Sequence, residues 1–127
     1  MKIAYYRCKH CGKIIYLTGD DMNIPTICCN ETMELITPNT TDGAHEKHVP
    51  VVEIMGRIVK ITVGETVHPM VHDHYIEWIT LSTNRTVHTL YLVPGEAPRA
   101  YFALQPDEEP LQAFAYCNLH GLWSSDI

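Results

Sequence analysis

The sequence predicts an all-β protein: a small metal-stapled β module at the N-terminus, followed by an antiparallel β-sandwich. Three observations predict it. From residue 49 onward the apolar segments are rich in Val, Ile, Thr, Tyr and Phe, and several alternate with period two, as in 75-YIEWI-79. Turn signals separate these segments at Gly64, 82-STNRT-86, 94-PGEAP-98 and 106-PDEEP-110. Four of the five cysteines fall before residue 30, among apolar runs too short to bury a core unaided.

In chain order, residues 1–36 carry 8-CKHC-11 and 28-CC-29, flanked by 14-IIYL-17 and 33-MELI-36. Residues 37–43, TPNTTDG, read as a linker. Residues 44–127 then hold the expected strands: 51-VVEIMGRIVKITV-63, 75-YIEWITL-81, 87-VHTLYLV-93, 99-RAYFAL-104 and 111-LQAFAYC-117. No segment of useful length has the helical period, and the sequence has no internal repeat.

A chain of 127 residues with 46% apolar content suits one small module plus a compact domain, and is too apolar for a disordered chain. It has no run of about 18 apolar residues that could cross a membrane. The start, MKIAYYRCKHCG, lacks the apolar stretch of a signal peptide, so the expected location is cytoplasmic, with no membrane partner. The net charge of −6 argues against nucleic acid as a partner. It also disfavours anionic substrates, unless a positive centre reverses the field within a Debye length.

Cys8 and Cys11 have a knuckle spacing that lets two thiolates reach one ion, with Gly12 suited to the turn. Cys28 and Cys29 are adjacent, so both reach one ion only if the backbone bends between them. Four thiolates suit tetrahedral zinc or a single iron, and the spacing does not choose. The competing readings are a metal-free redox pair or two disulfides; a disulfide between adjacent cysteines is strained. His10, inside the knuckle, reads as an exposed polar residue.

Six of the eight histidines lie between residues 45 and 88, in 45-HEKHVP-50, 68-HPMVHDHYIEW-78 and at His88. A late 117-CNLHG-121 adds Cys117 and His120, at a spacing that can put sulfur and nitrogen on one metal. Imidazole with thiolate suits Zn, Cu or Fe. A blue-copper site wants an axial methionine shortly downstream, and none follows His120.

Taken together, 46-EKHVPV-51, 68-HPM-70, 74-HYIEWI-79, 91-YLVPGE-96 and 117-CNLHGLW-123 resemble desulfoferrodoxin, the two-iron form of superoxide reductase. The resemblance covers nearly the whole chain: a desulforedoxin-like module, then a neelaredoxin-like catalytic domain. It implies an immunoglobulin-like β-sandwich and a homodimer. It implies one-electron reduction of superoxide to hydrogen peroxide, without dioxygen, fed by a rubredoxin-like donor. It implies an Fe(2+)/Fe(3+) centre with His48, His68, His74 and His120 in a plane and Cys117 on the axis. Cys8, Cys11, Cys28 and Cys29 then hold a second Fe(3+), or zinc. His45, His72 and His88 fall outside the matched ligand positions, and His45 and His72 are expected at the surface.

By the same resemblance, Lys47 attracts superoxide and helps order a proton-donating water. Glu46 is a hard oxygen donor for the ferric state and assists product release. The axial thiolate donates electron density toward the open position. One departure is the spacer 12-GKIIYLTGDDMNIPTI-27, more polar and irregular than the glycine-rich form of the family. It bears on the loop and the dimer contact and removes no ligand. The alternative functions are a non-catalytic electron-transfer protein with the same two centres, or a zinc-stapled structural module.

Overall fold

The computed structural model describes residues 3–19 and 25–127. Residues 20–24, within the spacer that departs from the family's glycine-rich form, lie outside the described residues. The chain divides into two compact units, Met1–Thr37 and Pro38–Ile127.

The first unit contains β1 (Ile3–Arg7), β2 (Ile14–Thr18), β3 (Ile27–Cys28), β4 (Glu31–Thr32) and β5 (Glu34–Ile36). β1 pairs with β2 and β5 in a three-stranded antiparallel sheet, and β3 pairs with β4 in a separate short hairpin. Tyr5 packs edge-on against its cross-strand partner Tyr16, at 5.9 Å between ring centroids. Tyr5 and Met33 are its only large buried apolar side chains among the described residues. So little burial leaves a unit of this size in need of a covalent or metal tie.

The second unit contains one helical turn, α1 (His45–His48), and seven strands. These are β6 (Pro50–Met55), β7 (Ile58–Val63), β8 (Ile76–Thr83), β9 (Val87–Tyr91), β10 (Arg99–Ala103), β11 (Pro110–Cys117) and β12 (Gly121–Asp126). They form two antiparallel sheets, ordered β10-β7-β6 and β12-β11-β8-β9. Alternation puts Val59, Ile61 and Val63 of β7 inward, against Ile79 and Leu81 of β8 and Ala113, Ala115 and Cys117 of β11. Cys117 is therefore the last inward position of a core strand, which explains its complete burial.

Two features differ from the strands expected from sequence. The stretch 51–63 is a hairpin, split at Gly56 and Arg57 into β6 and β7. Residues 121–126 form a strand that the serine-rich sequence GLWSSD does not announce; pairing with β11 specifies it. The outer edge of β12 is covered by the segment read as a linker. The Asn39 amide donates to the Ser124 carbonyl and accepts from the Ser124 N–H, while the Asn39 N–H donates to the Leu122 carbonyl.

The antiparallel β8–β11 pair gives the sandwich two distinct ends. At the Thr83 end, Glu108 has no side-chain exposure and accepts from Thr83, Thr86 and His88 and from the Gln105 N–H. Burial pushes the Glu108 carboxyl up, but these hydrogen bonds outweigh it and hold the group down at about 2. At the other end lie Cys117 and the loops that carry four histidines.

Candidate metal centres

In the first unit, the turn after β1 brings Cys8 and Cys11 together, closed by the Gly12 N–H donating to the Cys8 carbonyl at 2.9 Å. The bend required between Cys28 and Cys29 is present. Cys29 and Asn30 both adopt left-handed backbone, φ 52° and 62°, in the two-residue loop between β3 and β4. All four sulfurs fall within 4.8 Å of one another. Cys11 and Cys28 sulfurs are 3.7 Å apart, and Cys28 and Cys29 sulfurs 4.0 Å. These separations are far too long for disulfides. They suit a tetrahedron, since four sulfurs about 2.3 Å from one ion stand about 3.8 Å apart.

The protonation chemistry of the cluster points the same way. The Cys11 N–H, first among several donors, brings the Cys8 thiol down to about 6. Its hydrogen bond with Cys8 is the main reason that the Cys28 thiol is pushed up to about 12, and Cys29 moves up for the same reason. Four thiolates coexist here only if a cation replaces the protons.

In the second unit, each imidazole comes from a different local structure. His48 ends α1, His68 precedes Pro69, His74 lies just before β8, and His120 sits in the three-residue loop between β11 and β12. The four rings form a pinwheel. Neighbouring centroids are 4.6 Å (His48–His68 and His68–His74), 5.1 Å (His74–His120) and 4.8 Å (His48–His120), with planes 72–85° apart. The facing pair His48 and His74 is 6.2 Å apart and only 30° from parallel.

Hydrogen bonds decide which nitrogens face inward. The Nδ1–H of His48 donates to the Ala44 carbonyl and that of His68 to the Pro69 carbonyl, each at 2.7 Å, leaving both Nε2 lone pairs at the centre. His48 Nε2 is 3.1 Å from His68 Nε2 and 3.1 Å from His120 Nδ1. With both Nδ1 atoms protonated, His48 and His68 have no proton to share across that contact. His74 Nε2 is buried with no hydrogen-bond partner. Nitrogens about 2.1 Å from one ion in a square would be about 3.0 Å apart, so the donor set fits a cation.

The electrostatics favour neutral rings. Burial lowers His48 and His74 below the ordinary histidine range, and brings His68 down to about 4. Cys117, fully buried, lies 3.9 Å from His120 Nδ1. Burial pushes its thiol up, while the N–H groups of His120 and Leu119 donate to the sulfur and oppose that shift. A metal bound there would displace the thiol proton to solvent and hold the sulfur as thiolate. His48, His74, Cys117 and His120 place their donor atoms within 4.8 Å of one another, and His68 adjoins the set through His48.

Glu46 and Lys47 are exposed on α1, beside the pinwheel, and the charges of both reach it: Lys47 lowers His74, and Glu46 raises His48. His45, His72 and His88 of this unit lie outside the donor set, and His10 belongs to the first unit. His45 is exposed with its ring edge on Trp123, His72 pairs with Asp73 in solvent, His88 bonds Glu108, and His10 pairs with Glu31.

Several residues outside the expected donor set support it. Trp123, fully buried, stacks on His48 at 4.8 Å and donates from Nε1 to the His120 carbonyl at 3.0 Å. Thr41 donates to the same carbonyl. Gly43 admits this packing, because a Cβ there would stand 3.1 Å from Trp123 and 3.2 Å from His120. Gly64, at φ +84°, lies so close to α1 that a Cβ would be 2.7 Å from the Lys47 carbonyl and 2.4 Å from that of Thr66. That approach, with the Thr66 N–H donating to the Glu46 carbonyl, fixes the turn bearing Glu46 and Lys47.

The comparisons agree with this geometry. The family model described as Desulfoferrodoxin matches residues 40–126. The desulfoferrodoxin of Nitratidesulfovibrio vulgaris is 43% identical over 124 residues, covering 95% of this chain and 94% of the relative. The crystal structure of the superoxide reductase from Treponema pallidum superposes with a TM-score of 0.85 at 33% identity, covering 99% of this chain and 100% of that one. The one-iron superoxide reductase from Giardia intestinalis matches 65% of this chain at 35% identity, with a TM-score of 0.57. Both the metal-donor geometry and these likenesses, two of them over nearly the whole chain, lead to one conclusion: the chain belongs to the desulfoferrodoxin family.

Proposed function

We propose that this chain is a superoxide reductase: it takes one superoxide, one electron and two protons to one hydrogen peroxide, and releases no dioxygen. The observation that carries the reading is the pinwheel of four imidazoles beside the buried Cys117 sulfur, with the Nε2 atoms of His48 and His68 and the Nδ1 atom of His120 crowded together and the buried His74 Nε2 left without a hydrogen-bond partner. Iron held by His48, His68, His74, His120 and Cys117 would supply the electron by passing between Fe(II) and Fe(III). Four neutral nitrogens and a single thiolate leave a divalent ion net positive, which draws an anion to an otherwise acidic protein.

Lys47 adds an exposed positive charge on the turn beside the imidazoles and steers superoxide to them. The same ammonium holds a water from which a proton is delivered. Glu46, its neighbour, offers a hard carboxylate donor suited to the ferric state and to displacing product. Leu119 and His120 N–H groups stabilise the Cys117 thiolate and moderate its donation. Cys8, Cys11, Cys28 and Cys29 hold the second iron.

Each turnover consumes one electron, so a small one-electron carrier of the rubredoxin kind is the proposed donor, and a homodimer the proposed assembly. No helix among the described residues is long and apolar enough to cross a membrane, and the proposed location is the cytoplasm. Metal quantification with visible spectra tests the site reading. It predicts iron in the histidine set and a sulfur-to-iron band that bleaches on reduction and returns with superoxide. Zinc alone, or iron without that band, would overturn it.

A further inference from the structure

We infer that Asn118 is the positioning residue for His74: its side-chain amide grips the two peptide groups flanking that histidine and so sets where the ring points. The inference rests on reading the imidazole–thiolate group as an iron site. His48 and His68 have their ring directions fixed by Nδ1–H bonds to carbonyls. The buried Nε2 of His74 has no hydrogen-bond partner to orient the ring, so the hold on its backbone matters, where its own N–H and carbonyl already pair with Val71. That backbone is held from both sides. The Tyr75 N–H donates to Asn118 Oδ1 at 2.9 Å, and Asn118 Nδ2 donates to the Asp73 carbonyl at 3.0 Å. The Asn118 N–H adds a third bond, to the Tyr75 carbonyl at 3.2 Å. Only one amide orientation satisfies both side-chain bonds, since the other sets donor against donor and acceptor against acceptor.

Asn118 immediately follows Cys117, so one amide ties the loop bearing Cys117 and His120 to the loop bearing His74. The bracket sits beside a bulge between Tyr116 and Cys117, where the β8–β11 register skips and the ladder alone no longer fixes the spacing.

The opposite end of the same ladder repeats the device without a metal. Asn84 immediately follows β8; its N–H donates to the Glu109 carbonyl at 3.0 Å, the Glu109 N–H donates to Asn84 Oδ1 at 2.8 Å, and Nδ2 donates to the Asp107 carbonyl at 3.4 Å. Each asparagine follows one strand of the pair and grips the residue just before the other strand, and the residue two earlier. Both asparagines are exposed, so a purely structural contribution would be similar at the two ends. β8 has eight residues and spans roughly 23 Å, so a change at Asn84 does not touch the metal donors.

The test compares Asn118→Ala and Asn118→Asp with Asn84→Ala and Asn84→Asp in the full, iron-loaded chain. Thermal midpoint, the sulfur-to-iron band of the oxidised protein and retention of Fe(II) against a chelator are read for each. All four variants are expected to lower the midpoint by similar amounts. Only the Asn118 variants are expected to shift the band and to weaken iron retention, by about 10-fold or more. Asn118→Asp keeps the acceptor for Tyr75, loses the donor to Asp73 and adds a negative charge that Asn84→Asp matches at the other end, so it carries the test if Asn118→Ala does not fold. Band and retention unchanged in Asn118→Asp, or altered equally in Asn84→Asp, would overturn the inference. A wild type that shows no band refutes the iron reading itself, and so is distinguishable from failure of the bracket.

Discussion

The two ends of the β8–β11 ladder use similar parts and finish in opposite states. Each has an asparagine bracket, histidine and a deeply buried acidic or thiol group. At the Thr83 end, Glu108, Thr83, Thr86 and His88 satisfy one another, and the carboxylate is held ionised by its donors. At the Cys117 end the rings turn their lone pairs toward a common point, and His74 Nε2 has no partner. An unsatisfied buried polar atom costs on the order of 1–3 kcal/mol. A fold keeps such an atom where something else completes it, so the self-sufficient end reads as structure and the incomplete end as chemistry.

The largest expected effect falls on the incomplete end. Cys117→Ser should abolish the sulfur-to-iron band and lower the rate with superoxide by more than about 100-fold, while the β-sheet signal in circular dichroism persists. Retention of both band and rate would rule out Cys117 as a ligand. At the satisfied end, Glu108→Ala strips the acceptor from Thr83, Thr86 and His88. Urea unfolding should show a loss of about 2–4 kcal/mol with the iron spectrum unchanged; a spectral change would break the separation of the two ends.

Next comes Lys47→Ala, predicted to slow the second-order reaction about tenfold and to flatten its dependence on ionic strength. An unchanged rate in pulse radiolysis removes the steering role. The last comparison is a pH dependence. The Glu108 carboxyl sits at about 2 in the fold against an ordinary value of 4.5, so its stabilisation is present above about pH 4.5 and disappears as pH falls toward 2. The stability difference between the native protein and Glu108→Gln should shrink across that window. A difference that stays constant from pH 5 to pH 2 contradicts the assignment.

The sequence was most informative where chemistry depends on residue type. Cysteine and histidine are favoured donors for iron and zinc, so the cysteine spacing exposed the first cluster, while the second was legible through the family resemblance that the histidine motifs carry. Strand-forming stretches from Val51 to Cys117 were legible for a similar reason, because alternation follows from burying one face. Other parts act through the backbone and leave little trace. Asn118 and Asn39 read peptide groups far away in the chain, which any sequence window misses. Gly64 and Gly43 look like ordinary turn glycines until the neighbour that crowds them is known. β12 looks like a polar tail because its strand character is supplied by β11 and the Asn39 segment.

The central claim is that superoxide is reduced at the four-imidazole, one-thiolate centre and is not dismutated. Pulse radiolysis of the reduced full-length protein, with peroxide and dioxygen both quantified, tests it most directly. The predicted result is rapid second-order oxidation of the centre, one hydrogen peroxide per superoxide consumed and no dioxygen. Slow oxidation, or dioxygen formed alongside peroxide, would contradict it.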